Sequence, residues 1–261
     1  MGRSSQSVGS FLKSSARPAA FGLMIAATPW LGSAHAEVQI GADNNNAANP
    51  FVQPEGAVDQ SLQNGDSLVG TRSADVQIGL LGIDVLQGGR GSDVQIGGPD
   101  PGPPNSDRAF GGPGADLFLW QPGDGSDFFD SGRGVDAVVF GDITADETTG
   151  LPILDPDTNL PEIDSTGVGG FCEVVDGADP DGAAALEELG LDHLVRFFTR
   201  ADGVLRVTLH LIDVEFVVCG PRDLGGPIEV FDLRVSPPAL VDDIDDIGNE
   251  NLRTRLQDIV I

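Results

Sequence analysis

Residues 88–96 read Gly-Gly-Arg-Gly-Ser-Asp-Val-Gln-Ile, and residues 111–119 repeat the pattern as Gly-Gly-Pro-Gly-Ala-Asp-Leu-Phe-Leu. In both stretches three glycines lead to an aspartate, and a short strand-like triplet follows it. A tight turn needs glycine where φ is positive or where two backbones approach closely. A three-residue strand buries its apolar side chains only when copies of the unit stack on one another. The two stretches therefore predict a coil of short parallel strands.

The aspartates keep a nine-residue period around these units. The period runs through Asp66, Asp75, Asp84 and Asp93, and it resumes in the pairs Asp107/Asp116 and Asp127/Asp136. Stacking of the units would bring these carboxylates together, and they would repel one another. A hard cation held by carboxylate and carbonyl oxygens removes that repulsion. The period therefore indicates a cation-binding coil.

These units and their period resemble the glycine-rich nonapeptide of RTX proteins, the haemolysin-type calcium-binding repeats. The resemblance covers about residues 65–141. It implies an all-β fold built on a parallel β-roll, similar to a β-helix, and it implies Ca²⁺ as the bound ion. The residues after the roll predict a small β-rich C-terminal domain with one or two short helices, which completes the predicted fold class.

By position, the resemblance assigns metal-binding roles to one aspartate per unit and to the glycines of the two best turns. The aspartates are Asp75, Asp84, Asp93, Asp107, Asp116, Asp127 and Asp136. The glycines, whose turns would supply carbonyl oxygens, are Gly88, Gly89, Gly91, Gly111, Gly112 and Gly114.

Several units depart from the pattern. Leu80-Leu81 stands where glycine is expected, residues 71–73 replace a glycine turn, and Gln95 takes an inward strand position. The proline-rich stretch 97–106 breaks the period by five residues, which predicts two blocks, 75–97 and 107–141, around a bulged loop. We therefore expect a few ions rather than one per turn. The alternative is a calcium-free β-helix in which the aspartates only form turns.

The strong negative charge of the chain limits the kinds of molecule that it can bind. The chain has 41 Asp and Glu against 14 Lys and Arg, and Lys13 is its only lysine. Nucleic acid and anionic membrane surfaces are disfavoured because phosphate contacts need clustered basic residues. So acidic a chain needs divalent cations or a saline setting to relieve its self-repulsion.

The first 36 residues are typical of a secretory signal peptide. A basic start, an apolar core at 19–31 and small residues at 34–36 predict cleavage, no membrane span in the mature chain, and secretion. The periplasm and the cell surface are the alternative locations, and an uncleaved anchor is the minority interpretation. The last four residues, 258–261, resemble the C-termini of RTX proteins exported by type I machinery, but an ordinary docked helix end is the favoured interpretation.

Composition divides the rest of the chain. The predicted segments are a polar lead-in or cap (37–64), the RTX-like roll (65–141), a linker (142–170), a β-rich domain (171–235) and an acidic tail with a short helix (236–261). Within them, the turn at 201–203 predicts a hairpin over 194–211, and the helix is expected to begin near Asn249. Cys172 and Cys219 are the only cysteines, and both lie on predicted strands of a chain predicted to reach an oxidising compartment. We therefore predict a disulfide between them.

The sequence favours a secreted, non-enzymatic calcium-binding protein. One alternative is a hydrolase of the GDSL type, because residues 65–68 read Gly-Asp-Ser-Leu and would make Ser67 the nucleophile. That chemistry needs a histidine three residues after an aspartate, and neither His193 nor His210 has one. The other alternative is a calcium-dependent surface adhesion protein with an extracellular or matrix ligand that the sequence does not identify.

Overall fold

The computed structural model describes residues 36–41, 65–98, 106–175 and 180–260, which belong to the unit Gly32–Ile261. The predicted signal peptide lies outside the described residues except for Ala36. Most of the proline-rich interruption, 99–105, and the segment 42–64 also lie outside them, as does the final residue.

The described fold is all-β, and its central part is a parallel β-solenoid. Short strands alternate along the chain between two sheets. The first sheet contains, in spatial order, Val38–Ile40 (β1), Val76–Ile78 (β3), Val94–Ile96 (β5), Leu117–Trp120 (β7), Ala137–Phe140 (β9), Phe216–Cys219 (β15), Glu229–Asp232 (β16) and Ala239–Val241 (β17). The second contains Gly170–Val175 (β12), His193–Thr199 (β13), Leu205–Ile212 (β14), Phe128–Gly134 (β8), Arg108–Gly114 (β6), Val85–Gln87 (β4) and Ser67–Val69 (β2).

Few elements lie outside these two sheets. A two-stranded ribbon pairs Asp142–Ile143 (β10) with Ile163–Asp164 (β11). The described helices are Pro180–Leu189 (α1), Glu250–Ile259 (α2) and a 3-10 turn at Ile244–Asp246. The predicted all-β roll with a small C-terminal β-region and short helices is confirmed.

The proline-rich interruption does not divide the roll. Equivalent aspartates are 18 residues apart between Asp75 and Asp93, and 23 residues apart between Asp93 and Asp116. Strand β5 nevertheless pairs directly with β7 in unbroken parallel register. The two blocks expected from the sequence therefore form one continuous stack, and most of the expected bulged loop lies outside the described residues.

The C-terminal strands extend the sheets of the roll. Strand β14 pairs in parallel with β8, and β15 pairs in parallel with β9. Antiparallel strands then complete both sheets: β13 and β12 on one, β16 and β17 on the other. The strands predicted in 171–235 are present, and the predicted hairpin turns at Gly203, whose φ is +65°.

One strand lies where the sequence predicted only a polar lead-in. Strand β1 pairs in parallel with β3, Val38 opposite Val76. The signal for it is in the sequence, because Val-Gln-Ile occurs at 38–40, 76–78 and 94–96. The 35 residues that separate the first copy from the second hid the repeat.

The space between the two sheets is filled by apolar side chains and, in the first coils, by glutamines. Between the sheets, residues such as Leu86, Phe118 and Phe129 are fully buried, and the Phe118 and Phe129 rings stack at 5.5 Å. In the first coils, a glutamine ladder takes the inward position of the first sheet. Gln95 donates from Nε2 to Gln77 Oε1 at 2.8 Å, so this inward polar side chain has a partner one coil away.

The outer face of the first sheet is covered by the C-terminal helix. Asn249 begins α2 by accepting a hydrogen bond from the Leu252 N–H at 2.9 Å, as a helix N-cap should. Leu252, Leu256 and Ile259 are then buried against the outward side chains of the first sheet. The helix predicted after Asn249 is present, and its end docks on the roll.

The predicted disulfide between Cys172 and Cys219 is present, with the two Cα atoms 5.9 Å apart. Cys172 lies on β12 of the second sheet and Cys219 lies on β15 of the first. The bond therefore ties the two sheets together at the C-terminal end of the solenoid, inside the core that they share.

We expect the double variant Cys172→Ala/Cys219→Ala to be less stable than the wild type by about 2–4 kcal/mol, because the cross-link restricts the unfolded chain. Urea denaturation of the oxidised proteins measures this. Adding a reductant should lower the wild-type midpoint and leave that of the variant unchanged. Equal midpoints for the oxidised wild type and the variant would contradict the prediction.

Candidate functional site

The turns of the solenoid carry two rows of carboxylates. We call the row at the starts of the first-sheet strands the first ladder: Glu37, Asp75, Asp93, Asp116, Asp136 and Glu215. The row at the starts of the second-sheet strands is the second ladder: Asp66, Asp84, Asp107 and Asp127. All seven aspartates predicted as metal ligands lie in these rows and are buried. The sequence did not predict that Glu37 and Glu215 would end the first row.

Each ladder is built from one repeated hydrogen bond. The backbone N–H of Asp93 donates to Asp116 Oδ1 at 2.7 Å, and the N–H of Asp116 donates to Asp136 Oδ1 at 2.7 Å. In the second ladder, the N–H of Asp84 donates to Asp107 Oδ1 at 2.7 Å. Every such bond joins one coil to the next, so each aspartate is a structural link whether or not an ion is bound.

The other carboxylate oxygen is the chemically open part of the first ladder. Oδ2 of Asp93, Asp116 and Asp136 is buried and has no hydrogen-bond donor among the described residues. Burial is the largest influence on these groups and raises the pKa of each to about 7. The backbone hydrogen bonds oppose that shift, and for Asp136 the Ser131 side chain opposes it as well. Burying an ionised carboxylate without a partner is costly, so these three oxygens favour a proton or a cation.

The glycine turns wrap around these carboxylates. A Cβ added at Gly88 would lie 2.4 Å from Asp93 Oδ2, and one added at Gly111 would lie 2.6 Å from Asp116 Oδ2. Gly89, Gly91 and Gly112 have φ values of +103°, +126° and +105°, which L side chains rarely adopt.

The turns also stack on one another through their backbones. The Gly89 N–H donates to Gly111 O at 3.1 Å, and the Gly91 N–H donates to Pro113 O at 3.1 Å. A carbonyl oxygen has two lone pairs, so these oxygens can accept that bond and still contact an ion. The predicted glycines Gly88, Gly89, Gly91, Gly111, Gly112 and Gly114 thus lie together along the first ladder.

Asp75 has a different environment from the other members of the first ladder. Thr71 donates to Asp75 Oδ2 from its backbone N–H at 2.5 Å and from its hydroxyl at 2.9 Å. The stretch 71–73, which replaces a glycine turn, therefore supplies protein donors to this carboxylate. The open oxygens lie farther along the ladder, from Asp93 to Asp136.

The two edges of the roll differ in their turns. Second-ladder turns depart most from the repeat. Leu80 stands at a glycine position with φ +73°, and the sequence of the next unit contains the proline-rich insertion. The two nearly ideal turns, 88–93 and 111–116, both lie on the first edge, one coil apart. The best candidate site is therefore the segment of the first ladder from Asp93 to Asp136.

Sequence reasoning missed one residue of this site, Arg255. From helix α2, its guanidinium donates to the backbone oxygens of Ala115 and Asp93, the latter at 3.2 Å. Burial lowers the pKa of Arg255, while the charges of Asp116, Asp93 and Asp136 oppose that shift. The signal was its position between Leu252 and Leu256, on the side of the helix that faces the roll.

The hydrolase alternative requires Ser67 near a histidine. Ser67 is exposed at the start of the edge strand β2, whereas His210 is on β14 of the same sheet. Strands β4, β6 and β8 separate them, which corresponds to about 19 Å at the usual strand spacing. The structure therefore does not bring Ser67 within hydrogen-bond reach of His210.

Comparison with protein-family models, curated proteins and solved structures finds no match for this chain. Within the described ranges, no group of three or more His, Cys, Asp or Glu side chains is placed to hold a metal ion. Neither described helix has the length and apolar character that a bilayer crossing requires. The candidate site is therefore the ladder itself, in which backbone oxygens would complete a shell begun by one carboxylate per turn.

We expect Gly111→Ala to destabilise the protein by about 1–3 kcal/mol, because its new Cβ would overlap Asp116 Oδ2 and Ser131 O. Thermal or urea unfolding measures the change. Gly248→Ala is the matched control, since a Cβ there meets nothing within 4 Å. Equal stability of the two variants would show that the turn does not enclose the carboxylate.

In EDTA, we expect the free energy of unfolding to fall as the pH rises from about 5 to about 8. The folded pKa values of Asp93, Asp116 and Asp136 are about 7, against 3.8 as the ordinary value. The unfolded chain therefore releases these protons first, and the stability present at low pH is lost as the pH passes the folded pKa. Asp116→Asn should flatten the slope measured by urea denaturation; a rising slope in the wild type would contradict the prediction.

Proposed function

We propose that this protein is a secreted, non-enzymatic calcium-binding protein of the RTX type, in which the first ladder holds Ca²⁺ between successive turns. The observation that carries the proposal is the row of buried carboxylate Oδ2 atoms on Asp93, Asp116 and Asp136, each without a hydrogen-bond donor. Those of Asp93 and Asp116 also lie against the backbone of the glycine turns.

The donor set favours a hard divalent cation. Carboxylate and carbonyl oxygens are the ligands that Ca²⁺ takes, in flexible geometry and with six to eight donors. Asp93 and Asp116, with the carbonyl oxygens of turns 88–91 and 111–114, would hold one ion. Asp116 and Asp136 would hold a second. Bound Ca²⁺ would neutralise the buried charge and bridge neighbouring coils.

Export fits this chemistry. The disulfide between Cys172 and Cys219 is a bond of oxidising compartments, and the N-terminal 36 residues are typical of a cleaved signal. Outside the cell, plentiful calcium would favour the ion-bound roll, and calcium binding would contribute to its folding free energy.

The test is calcium titration of the mature chain, residues 37–261, after treatment with EDTA. Isothermal titration calorimetry should detect binding. At about a hundredfold excess over the dissociation constant, each bound calcium ion should stabilise the fold by about 2.7 kcal/mol, which raises the melting temperature by about 5–10 °C per ion. Absence of both binding and a thermal shift would overturn the proposal.

Asp116→Asn tests the assignment, because Asp116 would belong to both ions. This variant keeps an acceptor for the Asp93 N–H but loses the charge. Its calcium-induced shift should be at most half that of the wild type. Asp157→Asn, which removes an exposed carboxylate outside the ladders, should retain the full shift. Equal shifts in the two variants would place the ions elsewhere.

A further inference from the structure

Helix α2 brings a positive charge to the candidate site from the far end of the chain. Arg255 is 162 residues from Asp93, yet its Nη2 donates to Asp93 O at 3.2 Å, and its Nη1 donates to Ala115 O. Both acceptors belong to turns of the first ladder. The guanidinium therefore lies beside the segment between Asp93 and Asp116, where the first calcium ion is proposed.

Arg255 is also the basic residue that Asp93, Asp116 and Asp136 share. It appears among the charges acting on each of the three carboxylates, and no other basic side chain does. Among the described residues, no ion pair includes Asp93, Asp116 or Asp136. The Arg234–Asp232 pair lies near Glu215, at the C-terminal end of the ladder. Arg255 itself donates to carbonyl oxygens, which leaves the carboxylate Oδ2 atoms open.

A small cavity gives this side chain room to move. It has a volume of about 140 Å³ and is lined by Arg255, Ser92, Asn159 and the first-ladder residues Glu37 and Asp75. A calcium ion bound between Asp93 and Asp116 would repel the guanidinium. The cavity lets the side chain turn toward Glu37 and Asp75 while Leu252 and Leu256 keep α2 docked.

We propose that Arg255 is the resident counter-cation of the first ladder: it stabilises the roll without metal and competes electrostatically with calcium. The second half of this proposal, the competition with calcium, rests on the proposed function. The first half, the stabilisation of the metal-free roll, does not. The consequence is a roll that stays folded in the absence of calcium and binds calcium less tightly than its carboxylates alone would.

The first half is tested in EDTA with a double-mutant cycle. Arg255→Met, which keeps most of the apolar side chain, should lower the melting temperature by about 5 °C or more. In the Asp116→Asn background the same change should cost less than half as much, because the charge that Arg255 opposes is gone. Arg253→Met is the control on the same helix, since Arg253 donates to Ile247 O and not to the ladder; its loss should be equal in both backgrounds.

Equal losses from Arg255→Met in both backgrounds would overturn the proposal. Should Arg255→Met alone fail to fold in EDTA, folding of the double variant Arg255→Met/Asp116→Asn would support it. If neither variant folds in EDTA, the arginine is needed only for packing and the proposal is overturned.

The second half is tested by calorimetry with calcium alone. Arg255→Met should bind calcium about tenfold more tightly or better, since a like charge near the ion is removed. Unchanged or weaker binding would overturn the competition. If the wild type binds no calcium, the proposed function fails, and the cycle in EDTA still decides whether Arg255 is the counter-cation.

Discussion

The hydrogen bond from an aspartate N–H to the carboxylate one coil away is the interaction on which this structure depends. It recurs along both edges of the roll, at 2.7 Å between Asp93 and Asp116 and again between Asp116 and Asp136. Because the acceptor is a side chain of fixed length, it sets the stacking of the coils and requires one carboxylate per turn. Those carboxylates must then be buried, and the glycine turns are the backbone conformation that leaves them room. The same aspartates therefore hold the coils together and carry the free-energy cost of burying their charge.

Burial and hydrogen bonding act in opposite directions on these groups. The backbone donors favour the ionised form, but burial is the larger influence and raises the pKa of Asp93, Asp116 and Asp136. A proton, a basic side chain or a hard cation can relieve the resulting cost. The chain as a whole is strongly acidic, so few basic side chains are available. We propose that Arg255 fills that role for the Asp93–Asp116 segment without metal, and that calcium ions take it over when they bind.

The roll is not uniform along its axis. Its first coils contain a glutamine ladder, whereas its later coils contain Phe118, Phe129 and Trp120. The aromatic end is also where the disulfide joins the sheets and where antiparallel strands extend them. The best glycine turns lie on one edge only, in the middle of the stack. The proposed ions would therefore act between a polar N-terminal end and a well-packed C-terminal end.

The sequence by itself determined the local units: the strand triplets, the glycine turns, the aspartate of each turn, the α2 cap at Asn249 and the pairing of the only two cysteines. The units and the cap follow from periodicity and residue chemistry within about nine residues. The cysteine pairing, across 47 residues, follows from there being only two cysteines. Only the tertiary structure decided that β1 stacks across a long insertion, that β14 and β15 continue the roll, and that Arg255 reaches the ladder. Each of these contacts joins residues far apart in the chain. Parallel pairing depends on which strand edge is open in space, and spacing along the sequence does not record that.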